Sequence, residues 1–298
     1  MRLAGQNDRP VPKEMQIAIA ASLLLCFSIA SRAVDRDSPL SADDLMKQVS
    51  RVEAEAMRSP EPRWMYFLTD SKESLSTVRR VLETRDGTIS EVVCRNGQSL
   101  SAPEKQAERQ RLDQLASNPK EQKKHFRREA KDQARIAELI RMLSGGFRFE
   151  ILGAAGNLIR LRFYPSPSFR PSNIDQRIFH AMTGTVLVDA RRKRLARITG
   201  YFLRDVDFGA GLLGKVKQGG AVDIIRQDTG EGDWNPIELH VGVRARVLFK
   251  SLEVQRNLRF WGFREVRSGM SITDAVKFLE QQPVDHSSCD MTAVASNR

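Results

Sequence analysis

The sequence predicts an α+β protein built on a curved antiparallel sheet that forms an unclosed β-barrel, with helices covering the concave face. The first observation is the alternation of apolar and polar residues over 237–260, typical of strands with one buried face. The second is a series of turn signals between shorter apolar runs, and the third is a set of segments with helical periodicity. Because long strands twist strongly, we expect the sheet to curve. The alternating apolar positions begin with Ile237, Leu239, Val241, Val243, Ala245, Val247 and Phe249.

Residues 1–33 have the composition of a secretory signal peptide. Basic residues precede an uncharged stretch over 15–30, and the small residues at positions 31 and 33 suit a signal peptidase. This stretch is shorter than the roughly 20 residues that span a bilayer. The alternatives are an uncleaved anchor and a lipoprotein acylated at Cys26. The predicted localisation is therefore periplasmic.

The composition indicates a basic protein with few cysteines. The formal net charge is +11 over 298 residues, and a basic exported protein meets anionic lipid headgroups more readily than nucleic acid. The charges are spread along the chain, so solubility alone also accounts for them. Cys94 and Cys289 are the cysteines beyond the signal peptide, and they either form one disulfide or stay unpaired.

The first elements after the signal peptide are a helix and three strands. Ser41 and Asp44 resemble a capping box, and apolar residues then recur every three or four positions. The Asp86-Gly87 pair is a strong hairpin signal between the second and third strands. The predicted strands are 64–68, 75–84 and 88–95.

A charged helical insert is predicted over 103–144, interrupted at Asn118-Pro119 and stopped by Gly145-Gly146. Its second half carries apolar residues at helical spacing, namely Phe126, Ala130, Ala134, Ala137, Ile140 and Leu143. It also carries the basic residues Lys123, Lys124, Arg127, Arg128 and Lys131. These basic residues either form the solvated face of a helix or contact anionic lipid.

The second half of the chain is predicted to be mostly strands. A hairpin with a Gly-Ala-Ala-Gly turn is followed by a proline-rich linker, since each proline keeps its predecessor extended. Short helices are predicted at 174–182 and 272–280, and a flexible tail follows the second. The predicted strands are 147–152, 157–164, 185–189, 195–206, 220–228, 237–250 and 252–266.

The sequence contains no convincing catalytic or metal-binding motif. Residues 209–214 spell the G-x-G-x-x-G dinucleotide pattern, but the helix that must follow it is missing from the periodicity. A glycine-rich hairpin loop is the preferred interpretation, with Leu212 and Leu213 available to a membrane or a partner. The histidines lack zinc-ligand spacing, and no G-x-S-x-G motif occurs. We therefore expect no catalytic residues, no metal and no cofactor.

Arg256 is in phase with Val254 and Leu258, so it is predicted on the inward face. An inward arginine is costly unless it is paired or solvated. It either lines a solvated cavity mouth and meets an anionic ligand group, or marks a bulge or a strand end where both faces are wet.

The order of elements, together with two local motifs, resembles the periplasmic lipoprotein-carrier (Lol-type) superfamily and, within it, the outer-membrane lipoprotein-sorting proteins. One motif is Pro-x-Phe-Arg-Pro at 167–171, and the other is Gly-x-Val-x-Val-Asp at 184–189, followed by Leu195 and Arg197. The resemblance covers most of residues 40–266 and implies an unclosed barrel with helices over its mouth and an apolar cavity for acyl chains. It implies no metal and no catalytic residue. The long helical insert departs from the minimal carriers.

These expectations give three regions: a signal peptide (1–33), a carrier-like half-barrel (40–267) and a short helix with a flexible tail (268–298). The predicted function is non-enzymatic binding of lipid or lipoprotein acyl chains in the periplasm. The predicted cavity residues are Val241, Val243, Val247, Leu258, Phe260 and Arg256; alternatively, the apolar ones form a closed core. A regulatory or scaffold protein of the cell envelope that binds a protein partner is the second hypothesis. An enzyme with an unrecognised site is the third.

Overall fold

The computed structural model describes residues 41–58, 64–72, 75–208, 214–230, 232–247, 250–284 and 289. The predicted signal peptide lies outside these residues. In the described part, no helix is long and apolar enough to cross a membrane.

The described residues contain five helices, and most begin at a residue that caps them. Ser41 accepts a hydrogen bond from the Asp44 N–H at 3.1 Å, as the capping prediction requires. Asn118 accepts from the N–H groups of Lys120 and Glu121, which separates the two helices of the insert. The helices are α1 (Ala42–Ala56), α2 (Ala102–Ser117), α3 (Pro119–Gly146), α4 (Ile174–His180) and α5 (Ile272–Gln281).

The strands form one large antiparallel sheet that is not closed, which confirms the α+β prediction at this level. They are β1 (Trp64–Lys72), β2 (Leu75–Leu82), β3 (Ile89–Arg95), β4 (Gln98–Ser99), β5 (Phe147–Ala155), β6 (Leu158–Pro165), β7 (Met182–Asp189), β8 (Arg194–Phe202), β9 (Val206–Phe208), β10 (Gly214–Val216), β11 (Ala221–Asp228), β12 (Trp234–Val247) and β13 (Lys250–Glu265). The order is β4-β3-β2-β1-β13-β12-β11-β8-β7-β6-β5, and the β9-β10 ribbon pairs with β12.

The long hairpin of β12 and β13 has the predicted alternation. From Leu239 to Val247, every second residue of β12 is buried, and the four residues between them are all exposed. The pairing runs from Glu238 opposite Arg259 to Val247 opposite Lys250. The predicted strand position Phe249 lies outside the described residues.

Several predicted boundaries were wrong for identifiable reasons. Strand β5 continues through the predicted Gly-Ala-Ala-Gly turn to Ala155, because a register shift between Ile151 and Gly153 keeps it paired with β6. Strand β8 ends at Phe202, and the chain resumes pairing only in β9. In α3, the predicted apolar stripe begins at Phe126, but this residue is 49% exposed. The buried residues of the helix begin only at Ile136.

The segment that spells the dinucleotide pattern lies between two paired strands. Phe208 of β9 is opposite Gly214 of β10, so the context is strand, loop, strand, and not the strand and helix that nucleotide binding requires. The tip, including Leu212 and Leu213, lies outside the described residues.

The two faces of the sheet belong to different cores. The main core joins one face to Leu45, Met46 and Val49 of α1 and to the end of α3. On the β1–β3 side, the opposite face packs Met65, Leu82 and Ile89 against α2 and α5. The arrangement follows from strand alternation, since neighbouring residues such as Met65 and Tyr66 point to opposite sides.

Cys94 of β3 and Cys289 form a disulfide, with Cα atoms 5.6 Å apart. The pairing was left open by the sequence. Of the predicted flexible tail, only residues 282–284 and 289 are described, and Cys289 is buried at 6% exposure.

Candidate functional site

The candidate site is the side of the sheet that carries Val241, Val243, Leu258 and Phe260, which we call the inner face. Directly paired residues of adjacent strands point to the same side. Apolar residues therefore form a continuous row across six strands, with no charged residue in it. The row is Leu258, Leu239, Ile224, Ile198, Val186 and Leu161.

The structure places five of the six predicted cavity residues in buried positions on this face. Val241, Val243, Leu258 and Phe260 belong to the main core and are between 1% and 6% exposed. Val247, 8% exposed, lies at the end of β12. The first four residues also share the core with α1, so the pattern alone could not separate a cavity lining from a closed core.

A second set of apolar residues lies on the inner face, and of these the sequence placed only Val254 inward. These apolar residues pack against the main core but keep part of their surface accessible to solvent. For the others, the signal is the alternation of their strands, because residues two apart in a strand lie on the same face. They are Tyr66, Leu68, Ile198, Ile224, Val254 and Phe263.

Tyr66 is at the centre of the aromatic part of this set. Its ring stacks on Phe263 with centroids 5.0 Å apart and lies 6.0 Å from the Phe260 ring. Burial raises the pKa of the Tyr66 phenol, and the carboxylates of Glu83 and Glu129 raise it further. Tyr66 is therefore uncharged at neutral pH and presents an aromatic surface.

Arg256 lies on the inner face opposite Val241, as its phase predicted, and no bulge occurs at this point. Its Nε donates to Asp70 Oδ1 at 3.0 Å, and an Nη donates to Asp70 Oδ2 at 2.7 Å. The two side chains are 20% and 12% exposed. This two-pronged ion pair satisfies the arginine within the protein.

Arg79 of β2 is a second arginine on the inner face, and no prediction from the sequence included it. It pairs with Leu68, which pairs with Phe260, so all three point to the same side. Burial lowers the pKa of Arg79, and the cations of Arg111 and Arg256 lower it further. Within the part of the chain that the structure describes, its guanidinium has no hydrogen bond or ion pair.

Beneath α1 lies a buried charge cluster centred on Glu53. Its Oε1 accepts from Arg226 at 2.8 Å and from the Leu195 N–H at 2.8 Å, and Arg194 Nε is 3.3 Å away. All three charged side chains are at most 1% exposed. Breaking such a cluster would leave a buried charge without a partner. The cluster therefore holds α1 on β8 and β11.

A polar pocket of about 730 Å³ lies where α2 and α3 meet the start of β3. Arg111, Lys124 and Arg128 bring cationic groups to its wall, and Glu121 brings a carboxylate. Arg111 is already bound to Glu108 at 2.7 Å. None of the six predicted cavity residues lines this pocket.

In the described ranges, no group of three or more His, Cys, Asp or Glu side chains is arranged to hold a metal ion. A scan against protein-family models and searches of curated proteins and of solved structures find no significant match to this chain.

Proposed function

We propose that the protein is a non-enzymatic lipid- or lipoprotein-binding protein of the bacterial envelope. It holds acyl chains against the inner face of the unclosed sheet, as the resemblance to Lol-type carriers implies. The observation that carries the proposal is the set of apolar inner-face residues that keep solvent access beside the core, including Tyr66, Val254 and Phe263. An apolar surface of this kind in a concave sheet suits a flexible hydrocarbon chain.

In this proposal, α1 and α3 cover the concave face. The 28 residues of α3 extend about 42 Å at 1.5 Å per residue. In its first half, Glu129 accepts from the Thr88 N–H at 2.6 Å, just before β3. At its end, Gly146 leads directly into β5. Since β3 and β5 lie near opposite ends of the strand order, α3 bridges the two sides of the sheet, and its sliding or tilting would admit a ligand.

Two further observations support an envelope location. The Cys94–Cys289 disulfide suits an oxidising compartment such as the periplasm. The exposed side of α3 is basic, and Lys123, Arg127 and Lys131 make no ion pair in the described chain. Such a surface favours anionic lipid headgroups over a neutral partner.

The direct test is native mass spectrometry of protein released gently from the periplasm of an expression host. We expect bound lipid in the wild type and the loss of most of it in Val254→Trp, because the larger side chain takes up space on the inner face. Gln255→Trp is the matched control, since Gln255 is the next residue and is exposed. A lipid-free wild type that also takes up no added lipid would contradict the proposal.

One observation favours the alternative of an envelope protein that binds a protein partner. Strand β5 ends the sheet, and Ile151 and Leu152 on it are 54% and 45% exposed. From Ile151 to Ala155, β5 carries no charged residue, and an exposed uncharged edge of this kind is suited to pairing with a strand of another protein. Crosslinking in the native envelope tests this, with Ile151→Lys expected to abolish the crosslink if β5 is the contact.

A further inference from the structure

Among the residues that the structure describes, the inner face near β1, β2 and β13 carries one more positive charge than the neighbouring carboxylates neutralise. Asp70 is fully engaged by Arg256, through hydrogen bonds of 3.0 and 2.7 Å. Glu108 accepts from Arg111 at 2.7 Å and from the Val92 N–H at 2.7 Å. Both carboxylates are close enough to Arg79 to act on its charge, yet each is already bound to another arginine.

The remaining charge, that of Arg79, lies at a specific place relative to the apolar surface. In the register of the sheet, Arg79 is opposite Leu68, which is opposite Phe260. Its side chain is only partly exposed, so water cannot fully replace a missing partner. A guanidinium in this position offers two parallel N–H donors to a carboxylate or a phosphate.

We propose that Arg79 binds the anionic head of an acyl ligand, a carboxylate or a phosphate, while the chain lies along the inner face. This inference rests on the proposed function and names the charge of its ligand. It also assigns to Arg79 the anion-binding role that the sequence suggested for Arg256.

The test compares three single-chain ligands of equal chain length in a binding titration: palmitate, palmitoyl lysophosphatidate and uncharged monopalmitoylglycerol. We expect Arg79→Met to lower the affinity for at least one of the two anionic ligands by about tenfold or more. The affinity for monopalmitoylglycerol should stay within about twofold. Which anionic ligand loses affinity distinguishes a carboxylate site from a phosphate site.

The control variant is Arg160→Met, which removes the same charge from an exposed position on β6 and should change none of the affinities. Arg79→Lys keeps the charge but not the planar pair of donors, so it should recover part of the loss. It also serves as the test variant if Arg79→Met does not fold, and an anionic affinity equal to the wild type would then count against the inference.

The failure of the inference and that of the proposed function give different results. If the wild type binds all three ligands and Arg79→Met weakens them equally or not at all, the anionic site is wrong and acyl binding stands. If the wild type binds none of the three, the proposed function fails, and the inference fails with it.

Discussion

Glu129 and His125 show how burial controls the charge of single residues at the contact of α3 with the β2–β3 turn. The Glu129 carboxylate accepts from the Thr88 N–H at 2.6 Å, and His125 Nε2 is 2.8 Å from the Thr88 carbonyl oxygen. Burial raises the pKa of Glu129 to about 7. Burial also lowers the pKa of His125, and the cations of Arg128 and Arg111 lower it further. Near neutral pH the histidine is therefore uncharged.

The raised pKa of Glu129 predicts a pH dependence of stability. Between the ordinary pKa of 4.5 and the folded value of about 7, the folded state binds more protons than the unfolded state. The free energy of unfolding should therefore fall as the pH rises through this window, by at most about 3 kcal/mol from this group. His125 acts in the opposite direction, since protonation of the unfolded state below about pH 6.5 destabilises the fold.

The substitution Glu129→Gln separates the contribution of Glu129 to the pH dependence of stability from that of His125. Glutamine keeps an acceptor for the Thr88 N–H and does not titrate. In urea unfolding, the variant should gain stability over the wild type at about pH 8 and little at about pH 5. If the free energies of unfolding of the variant and the wild type differ by the same amount at both pH values, Glu129 has an ordinary pKa.

At the scale of elements, α3 divides into two parts with different surroundings. From Ile136 onward its apolar residues are buried, and Ser50 of α1 donates to the Ile140 carbonyl oxygen at 2.7 Å. The earlier part is mostly solvated, apart from His125 and Glu129 at the β2–β3 turn, and Phe126 is 49% exposed there. Helical spacing predicted one continuous apolar stripe, but spacing says nothing about where the neighbouring element ends.

The solvated part of α3 predicts binding to anionic membranes. The double substitution Lys123→Glu/Arg127→Glu should lower affinity for vesicles containing phosphatidylglycerol by about tenfold or more, since each basic residue near such a surface contributes about 1 kcal/mol. Co-sedimentation measures this, and salt should weaken the wild type's binding. Arg160→Glu/Arg246→Glu is the control, because both arginines are exposed on strands of the sheet. Equal losses in both variants would assign the binding to net charge rather than to α3.

At the scale of the molecule, the Cys94–Cys289 disulfide ties the end of the chain to β3 across 195 residues of sequence. Cys289 also lies in a small core with Val78 and Val93. A crosslink that closes a long loop restricts the unfolded chain strongly. We therefore expect the disulfide to contribute substantially to stability.

Replacing both cysteines by alanine should lower the free energy of unfolding by about 2–5 kcal/mol. Urea titrations of the wild type with and without reductant should show a similar shift, while the double variant should not respond to reductant. A wild type that is unaffected by full reduction would show that the disulfide adds little to stability.

The sequence was sufficient for features that depend on local periodicity and turn chemistry. The α+β class, the β12–β13 hairpin, the break at Asn118-Pro119 and the inward phase of Arg256 all follow from patterns within a few residues of one another. The inner-face positions of Val241, Val243, Leu258 and Phe260 follow in the same way, because a strand alternates with period two.

Only the tertiary structure decided which charged and sulfur groups meet. Arg256 is bound by Asp70, 186 residues away, because β1 pairs with β13, and no local pattern encodes that strand order. The same order places Arg79 where no described carboxylate binds it, and the fold joins Cys94 to Cys289. The alternation of apolar and polar residues thus determined which face of the sheet is apolar. The strand order, which depends on long-range pairing, determined that the charge of Arg79 lies on that face.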